Sequence, residues 1–516
     1  MTLLARSALW AAALLPHASV AGLVRRQQTS FNSPGNPILG DGSIYSADPA
    51  PFVVDDTVYI LAGRDEANPT TNDFIMNEWE IFEATNPDPA GGTWTLHQNV
   101  ARPQSVFSWA QSGGAYASQI IQGTDGRFYL YASAREQGGA SDPFSIGVGV
   151  SNSPTGPFVD AHPSGPIISQ RVPAPGNNIH NIDPSVFVDD NGRVYVYWGS
   201  FNNLRAVELG SDMTSVIGSP VTINGLTGFF EAPWLMKRGN TYYLLYAGNN
   251  AAANSPCTPT SYHACIAYGT ASSPLGPWTF RGVILGVVSS TTSHPGAYEL
   301  NGEWYLVYHT ADAVNGGHFR RSVAFDLLEW DDSTSPPSIL RIKQTWRDSL
   351  TAPRPPSRNV APLAKATSQN GTPIQYWIAA LNDERILSNP LPPDYWSSWA
   401  GDQSPAVNVL TYTWDSAVSL NGVAIAFFAD QPAGSNVGVP PPASWYAEYL
   451  NGSGAWTRVT VTSGGYPTAP SQNPPEVSFQ TVTTTALRVT LNGSGGSGRY
   501  GAVGIHEWYA YSPQPV

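Results

Sequence analysis

Short runs of alternating apolar and polar residues recur along the first two thirds of the chain, and each is followed by a polar turn and an aromatic run. Alternation with a period of two predicts β-strands, and turns rich in Asp, Asn and Gly predict hairpins. The five copies begin at Pro49 (PAPFVVDDTVYILAG), Ala117 (ASQIIQGTDGRFYLYASA), Pro184 (PSVFVDDNGRVYVYWG), Ala232 (APWLMKRGNTYYLLYAG) and Gly296 (GAYELNGEWYLVYHT). The pattern therefore predicts an all-β fold built on an internal repeat.

A tyrosine lies near the start of the second strand of every copy, so the length of the repeat can be counted from one tyrosine to the next. The five tyrosines are Tyr59, Tyr129, Tyr195, Tyr243 and Tyr305, and they lie 48 to 70 residues apart. That spacing has room for four strands and variable loops, so residues 36–345 predict a five-bladed β-propeller. A single β-sandwich would explain the alternation but not the repeat.

The C-terminal part carries no further copy of the pattern. Residues 346–359, with the run Thr-Ala-Pro-Arg-Pro-Pro-Ser, read as a linker, and residues 360–516 contain alternating stretches such as Leu487-Arg-Val-Thr-Leu-Asn. They predict a β-sandwich accessory domain that resembles galactose-binding-like modules. Three tryptophans there could form a sugar platform or a core, namely Trp396, Trp399 and Trp414. Three acids there could be site residues or turn residues, and we favour turns for Asp383, Glu384 and Asp402.

The N-terminus has the features of a secretory signal. Arg6 precedes an apolar run over residues 8–15, and small residues end the segment at Ala21, so residues 1–21 predict a signal peptide. The dibasic pair Arg25-Arg26 suggests a propeptide and N-terminal tail over residues 22–35. The apolar run is too short to span a bilayer. We therefore expect a secreted, extracellular protein.

Charge and composition narrow the range of partners. The net charge is −13 and no basic patch is present, which argues against nucleic acid and against anionic membranes as partners. Aromatic residues make up 11% of the chain and charged residues 12%, a balance that suits stacking on sugar rings but also suits ordinary β-cores. We expect a monomer.

In a secreted protein, cysteines can form disulfides and asparagines in acceptor sequons can carry glycans. Cys257 and Cys265 are the two cysteines of the chain and predict one disulfide, although His263 between them leaves a metal site as the alternative. Three acceptor sequons for N-glycosylation begin at Asn370, Asn451 and Asn492.

Aligning the five copies on their tyrosines brings out a ring of candidate site residues. The residues 11 or 12 positions before each tyrosine are Asp48, Ser118, Asp183, Glu231 and His294. Each stands at the start of a first strand, and the first strands of a propeller surround its central axis. We therefore expect these side chains to meet at one mouth of the central channel. Charged side chains are almost never buried without a partner, so this ring predicts a functional site.

Three carboxyl groups in one ring indicate hydrolysis of glycosidic bonds, which needs one protonated and one ionised carboxyl group. Glu231 lies among apolar residues (Phe229, Phe230, Trp234), which predicts a raised pKa and the role of general acid. Asp48 lies in a polar stretch and suits the general base. Asp183 would keep the proton on Glu231 by like-charge repulsion and orient that side chain.

Three motifs carry a family resemblance. Ser-Ala-Asp48-Pro, Ile-Asp183-Pro-Ser-Val-Phe-Val-Asp-Asp-Asn-Gly and Phe-Glu231-Ala-Pro-Trp-Leu resemble glycoside hydrolase family 43 over the propeller, residues 36–345. The resemblance implies an inverting mechanism with Asp48 as general base, Asp183 as pKa modulator and Glu231 as general acid. It implies α-L-arabinofuranosidase, β-xylosidase or endo-arabinanase activity.

The resemblance extends to two further positions. Arg321, in His-Phe-Arg-Arg-Ser-Val, resembles the arginine that reaches the bound sugar, ahead of its neighbour Arg320. His294 resembles an axial histidine that in some members binds calcium, so no cofactor is required but a structural calcium ion could lie there. With Ser118 of the ring, Trp109 is a further candidate for substrate binding, with core packing as its alternative.

Within the family, two features favour an arabinofuranosidase: the accessory sandwich and a long aromatic loop from Asp73 to Trp94. The expected substrate is a plant cell-wall polysaccharide, arabinoxylan or arabinan. The expected reaction is the removal of α-L-arabinofuranosyl side chains from arabinoxylan, including doubly substituted xylose. β-Xylosidase and endo-arabinanase are the enzymatic alternatives, and a lectin-like propeller that only binds sugar is the alternative outside enzymes.

Overall fold

A computed structural model describes the chain from residue 27 onwards, with internal gaps. The described residues are 27–71, 73–138, 143–172, 181–248, 257, 264–288, 292–342, 344–345, 356–373, 376–386, 394–434, 438–494, 498 and 500–516. The predicted signal peptide (1–21), the dibasic pair Arg25-Arg26, residues 346–355 of the predicted linker and His263 lie outside these residues.

Five antiparallel sheets, following one another along the chain, form a five-bladed propeller. The first blade has β1 (Gln28–Pro34), β2 (Tyr45–Val54), β3 (Thr57–Asp65), β4 (Met76–Ala84) and β5 (Ala90–Ala101). The second has β6 (Ser118–Gln122), β7 (Phe128–Arg135), β8 (Phe144–Ser151) and β9 (Val159–Asp160). The third has β10 (Ser185–Val188), β11 (Val194–Trp198), β12 (Arg205–Leu209) and β13 (Val216–Thr222). The fourth has β14 (Phe229–Arg238), β15 (Thr241–Gly248), β16 (Cys265–Ala271) and β17 (Thr279–Leu285), and the fifth has β18 (Gly296–Leu300), β19 (Glu303–Thr310) and β20 (Ser322–Leu327).

Each predicted hairpin joins the first two strands of a blade, and the predicted tyrosines lie on the second strand. In the third blade, for example, Phe187 of β10 pairs with Tyr195 of β11. Because β-strand side chains alternate between the two faces, this register buries one row of each strand between neighbouring blades. Tyr195 and Tyr243 are accordingly almost fully buried.

The chain start closes the ring on the fifth blade. Asn36 donates a side-chain hydrogen bond to the carbonyl of Phe325 (2.8 Å) and accepts one from its amide (3.1 Å), while the amide of Ile38 donates to Val323 (3.0 Å). The N-terminal segment thereby lies along the free edge of β20 and satisfies backbone groups that an open edge would expose.

The prediction of a long loop from Asp73 to Trp94 is wrong. Most of this segment forms β4 and the beginning of β5, which pair with each other, and β4 also pairs with β3. The many aromatic and β-branched residues are there because the strands are buried: Trp79, Phe82 and Trp94 are fully buried. The segment therefore gives no support to one activity of the family over another.

Short elements connect the propeller to the rest of the chain. A one-turn helix, α1 (Pro103–Val106), precedes the second blade, and a small hairpin of β21 (Trp330–Asp331) and β22 (Ser338–Ile339) follows the fifth. Among the described residues, no helix has the length and apolar character needed to cross a membrane.

The C-terminal domain is built of strands, as expected, around two very long ones. Its elements are two 3₁₀ helices (Ala361–Leu363 and Ile378–Leu381), β23 (Lys365–Ser368), β24 (Trp396–Ser397), β25 (Val407–Phe428), β26 (Pro442–Leu450), β27 (Trp456–Arg458), β28 (Val461–Ser463), β29 (Val477–Gly493) and β30 (Gly504–Tyr511). The first half of β25 pairs with β23 and β29, and its second half pairs with β30. Side chains from both halves meet in one core with those of β29, which is the packing of a sandwich.

Two of the three tryptophans considered as a sugar platform belong to this core. Trp396 is fully buried and Trp414 is 4% exposed, and the indole N–H of Trp414 donates to the carbonyl of Val360 (2.9 Å). Trp399 is half-buried. The core alternative therefore holds for Trp396 and Trp414.

A buried ion pair fastens the sandwich to the fifth blade. Nη2 of Arg385 lies 2.6 Å from Oδ2 of Asp312, which also accepts a hydrogen bond from Gln344 (3.0 Å). Beside it, the Arg341 guanidinium lies 4.8 Å from the ring of Trp377, which packs against the propeller core. Because the side chains of Arg385 and Asp312 are 6% and 13% exposed, this ion pair is buried between the two domains.

Cys257 and Cys265 form a disulfide at the start of β16 in the fourth blade. The disulfide prediction is confirmed in this structure. Both residues are buried.

Candidate active site

A cavity of about 380 Å³ opens at the centre of the propeller, where the first strands of the blades meet. Carboxylates, one arginine, two histidines and several aromatic rings line it: Asp48, Phe74, Met76, Tyr116, Phe144, Ile182, Asp183, Phe201, Phe230, Glu231, Thr292, His294, His318 and Arg321. Asp48, Asp183, Glu231, His294 and Arg321 therefore meet at one place, although four different blades supply them.

The backbone beside the three carboxylates is strained in the same way. Asp48 (φ 55°), Asp183 (φ 60°) and Ala232 (φ 57°), which follows Glu231, all have left-handed conformations, and each precedes a proline. A left-handed conformation costs a non-glycine residue about 1–2 kcal/mol, and a following proline restricts the backbone further. β-Bulges interrupt the pairing of β2 and β14 at these positions. Strain of this kind is typical of functional sites, where it directs side chains out of a regular sheet.

Asp48 lies in a positively charged environment. Its Oδ1 is 2.8 Å from Nη1 of Arg321, 3.4 Å from Nδ1 of His309 and 3.9 Å from Nδ1 of His294. Burial alone would raise the pKa of Asp48, but Arg321, with smaller contributions from the two imidazoles, outweighs it and holds that pKa well below its usual range. Asp48 is therefore ionised at any pH at which the protein would work.

Arg321 is held between two carboxylates, and the sequence did not point to the second. Its Nε and Nη2 each donate to Asp65 across 2.9 Å, and its backbone amide donates to the same carboxylate. The Phe74 ring lies 4.9 Å from the centre of the guanidinium. Arg321 is 2% exposed, so its guanidinium is shielded from solvent. Its ion-pair partners are Asp65 and Asp48. A bidentate pair of this kind fixes the orientation of the planar guanidinium.

Asp183 and Glu231 are in an environment that favours the protonated form. Burial raises the pKa of Glu231 to about 7, with a further increase from the charge of Asp48, and a hydrogen bond from Ser200 acts in the opposite direction. Burial and the charges of Glu231 and Asp48 likewise raise the pKa of Asp183. Burial and like charge thus favour the protonated form at both carboxyl groups.

Asp183 also contacts the chain segment that carries Glu231. Its Oδ2 accepts a hydrogen bond from the backbone amide of Ala232 at 3.1 Å, and its own amide donates to the hydroxyl of Ser133 (3.0 Å). The third carboxylate is thus in position to orient the strand on which Glu231 lies.

Aromatic rings form the walls of the cavity. Phe201 and Phe230 meet edge to face with centroids 5.3 Å apart, and Phe74 lies 5.3 Å from His318 on another part of the lining. Phe201 is 50% exposed, which is unusual for a side chain of its size. Such rings suit the apolar C–H faces of a sugar. Phe230 stands beside Glu231 in sequence, but nothing in the repeat indicated Phe74, Phe201 or His318.

Two residues expected to bind substrate are not part of this lining. The Ser118 hydroxyl donates to the carbonyl of Tyr116 (3.0 Å), and Ser118 is 4% exposed. Trp109 stacks on Phe107 with centroids 5.1 Å apart and packs against the propeller core. Core packing, the alternative considered for Trp109, therefore fits the structure. The Ser118 hydroxyl is occupied by a hydrogen bond to the backbone.

The described residues do not fit a calcium ion at His294. No group of three or more His, Cys, Asp or Glu side chains among them has an arrangement that could hold a metal ion. Calcium requires several oxygen ligands, whereas the carboxylate nearest to His294 is already paired with a guanidinium. Burial lowers the pKa of His294 to about 4, so its imidazole is neutral near pH 7.

Comparison with known proteins finds relatives of this chain among enzymes named for xylose and arabinose. A xylosidase/arabinosidase from Bacteroides ovatus is 28% identical over 331 residues, covering 56% of this chain and 92% of that relative. An arabinoxylan arabinofuranohydrolase from Bacillus subtilis (strain 168) is 31% identical over 318 residues, covering 53% of this chain and 57% of that relative.

A solved structure extends the likeness in fold to both domains. The crystal structure of a family 43 arabinoxylan arabinofuranohydrolase from Bacillus subtilis, in complex with cellotetraose, matches with a TM-score of 0.50 and 21% identity, over 93% of this chain and 98% of that one. The family model for glycosyl hydrolases family 43 matches residues 35–336, which is more than half of the chain and includes every residue of the cavity lining. The chain therefore belongs to glycosyl hydrolases family 43 and is a glycoside hydrolase.

Proposed function

We propose that the protein is a secreted, inverting α-L-arabinofuranosidase that removes side chains from arabinoxylan, including those on doubly substituted xylose. The observation that carries the chemistry is the contrast between two carboxyl groups of one cavity. Arg321 keeps Asp48 ionised, while burial keeps the proton on Glu231 up to a pH of about 7. One acid and one base on the same cavity are what glycoside hydrolysis requires.

In the proposed reaction, Glu231 donates its proton to the glycosidic oxygen as the bond from that oxygen to the anomeric carbon breaks. A water molecule attacks the same carbon from the opposite face, and Asp48 accepts the proton that the water loses. The proton on Asp48 is afterwards returned to Glu231 through solvent. Asp183 orients Glu231 through the amide of Ala232 and, by its charge, favours the protonated form of Glu231.

The preference for arabinose rests on the relatives rather than on the cavity alone. The names of the two relatives described above include arabinosidase and arabinoxylan arabinofuranohydrolase. The first name also includes xylosidase, so β-xylosidase is the second candidate. A cavity of about 380 Å³ is at the small end of the range for ligand pockets, roughly 300–1,000 Å³, which favours a terminal sugar over a long internal stretch of polymer.

The test is sugar release from wheat arabinoxylan by the wild type and by Glu231→Gln, with products identified by chromatography and proton NMR. We expect arabinose from the wild type alone, with the β-anomer appearing first because inversion reverses the α-configuration. Glu299→Gln, an exposed glutamate on β18, is the matched control and should keep full activity. Xylose from xylo-oligosaccharides would favour β-xylosidase instead. Equal sugar binding by both proteins without any release would favour a lectin.

Secretion is tested separately, by expression of the full chain in a fungal host. We expect protein in the medium that starts after Ala21 or after Arg26, and N-terminal sequencing distinguishes the two. Retention of residues 1–21 in the recovered protein would contradict the proposed signal peptide.

A further inference from the structure

We infer that Ser200 is a positioning residue for Glu231, and that its hydroxyl decides which oxygen of that carboxyl group carries the acidic proton. The inference rests on the proposed function, because it assigns the general acid to Glu231. Its starting point is one contact: Oγ of Ser200 donates to Oε2 of Glu231 across 2.7 Å. Ser200 itself is fully buried, so water does not compete for this hydroxyl.

The turn that carries Ser200 is attached to both neighbouring acids. It follows β11, at the same mouth of the propeller as the cavity. The amide of Gly199 donates to the carbonyl of Ile182, the residue before Asp183, and the amide of Asn202 donates to the carbonyl of Phe230, the residue before Glu231. A hydrogen bond from Asn203 to the carbonyl of Ser200 closes the turn.

The backbone of this turn is strained, which indicates that contacts with the surrounding structure hold it in this conformation. Phe201 (φ 51°) and Asn202 (φ 67°) are successive left-handed residues. Gly199 has a φ of 139°, and a Cβ there would collide with the carbonyl oxygen of Asn203. Strained residues persist only where the surrounding structure fixes them, and here the result is a serine hydroxyl fixed on the carboxyl group of Glu231.

The chemistry follows from the donor inventory of the two groups. A serine hydroxyl has one proton to donate, and this one is used on Oε2. Because Oε2 already accepts this hydrogen bond, it is the less favourable oxygen for the acidic proton of Glu231. That proton therefore resides on Oε1. Oε1 is then the atom that protonates the glycosidic oxygen. The hydrogen bond also stabilises the ionised form that remains after the transfer, which assists departure of the proton.

Ser200→Ala tests the inference in the full-length protein. We expect kcat on arabinoxylan oligosaccharides to fall roughly 10- to 100-fold, the range for a lost hydrogen bond to a charged group, with KM little changed. The alkaline limb of the pH profile should move to higher pH, because a bond that favours the ionised form is gone. On an aryl arabinofuranoside, whose leaving group needs little protonation, the loss should be much smaller.

Two further variants separate positioning from folding. Ser200→Cys keeps the shape with a weaker donor and should lie between wild type and Ser200→Ala in both kcat and the alkaline limb. Ser33→Ala removes another buried serine hydroxyl, one that donates to the carbonyl of Pro89 on the outer edge of the first blade, and should leave the pH profile unchanged.

An unchanged alkaline limb in Ser200→Ala, with equal losses on both substrates, would overturn the role of Ser200 while the wild type and Glu231→Gln still support the proposed function. A wild type that releases no sugar from any of these substrates would overturn the proposed function and this inference together.

Discussion

The backbone amide of Ala232 donates a hydrogen bond to Oδ2 of Asp183 across 3.1 Å, so the third carboxylate of the cavity holds the residue directly after Glu231. We propose that Asp183 acts on Glu231 in two ways, through its charge and, by this contact, through the position of the strand. Substitutions at this position separate them.

Asp183→Asn keeps an oxygen that can accept from Ala232 but removes the charge. Without a neighbouring carboxylate the pKa of Glu231 falls, so the alkaline limb of activity should move to lower pH. We expect kcat to decrease by roughly 10- to 100-fold, which is less than the loss of the general acid itself. Asp183→Ala, which removes both effects, should be worse. Steady-state kinetics across pH make the comparison, and an alkaline limb that stays in place would contradict the charge effect.

The wild-type pH profile should reflect the two carboxyl groups directly. Activity requires Glu231 protonated, so kcat/KM should decline as pH rises through about 7. It also requires Asp48 ionised, and because Arg321 holds its pKa low, the acid limb should lie below about 3.9, the usual value for Asp. The measurement is kcat/KM on an arabinoxylan oligosaccharide with Glu299→Gln as control. An alkaline limb near the ordinary pKa of glutamate would show that Glu231 is not the group observed.

The raised pKa of Glu231 has a cost in stability. The folded protein keeps this proton up to a pH of about 7, whereas the unfolded chain loses it near pH 4.5, so stability falls as pH rises between those values. Glu231→Gln is neutral throughout and does not pay this cost. We expect its melting temperature to exceed that of the wild type at pH 8 and the difference to shrink at pH 4. A wild type that is more stable at pH 8 would contradict the assignment.

Arg321→Met should damage both the site and the fold. Removing the guanidinium leaves Asp65 buried without its bidentate partner, and breaking a buried ion pair costs about 3–5 kcal/mol. The pKa of Asp48 should rise, which moves the acid limb of activity to higher pH. Arg320→Met is the matched control, because within the described part of the chain that neighbouring side chain donates to the carbonyls of Asn315 and Asn68 and to no carboxylate. Equal unfolding free energies for the two variants in urea would contradict the prediction.

Arg385→Met should weaken the attachment of the sandwich. It leaves Asp312 without its cation in a buried interface, at a cost of about 3–5 kcal/mol, and Asp312→Asn in the same chain should recover part of the loss. Arg193→Met, which removes a surface pair with Glu208, should cost much less, because solvent screens ion pairs of this kind. Denaturant unfolding of the wild type, Arg385→Met, Asp312→Asn and the double variant completes the cycle, with Arg193→Met measured beside them, and similar costs at Arg385 and Arg193 would contradict the prediction.

The repeat made the blades and the ring predictable because both follow local rules. Alternation and turn residues specify each hairpin, and counting back from Tyr59, Tyr195 and Tyr243 reached Asp48, Asp183 and Glu231 without knowledge of any contact. The same rules could not predict contacts in which a residue of one blade pairs with a residue of another blade.

Asp65 and Arg321 are 256 residues apart, and Ser200 and Glu231 lie on different blades. The aromatic segment after Asp73 was misread for a related reason: its rings are buried between strands, and an aromatic run reads the same in a loop and in a sheet.

The ring closure described for Asn36 also bears on the order in which the protein matures. Asn36 and Phe325 are separated by 289 residues, and Asp48 and Arg321 by 273. Because a chain emerges from the ribosome N-terminus first, Asp48 is synthesised long before its guanidinium partner exists. Until the fifth blade is complete, the cavity lacks both Arg321, which holds the Asp48 carboxylate in place, and His294. A nascent or truncated propeller therefore has an unfinished cavity, and we expect hydrolytic competence only with the last blade.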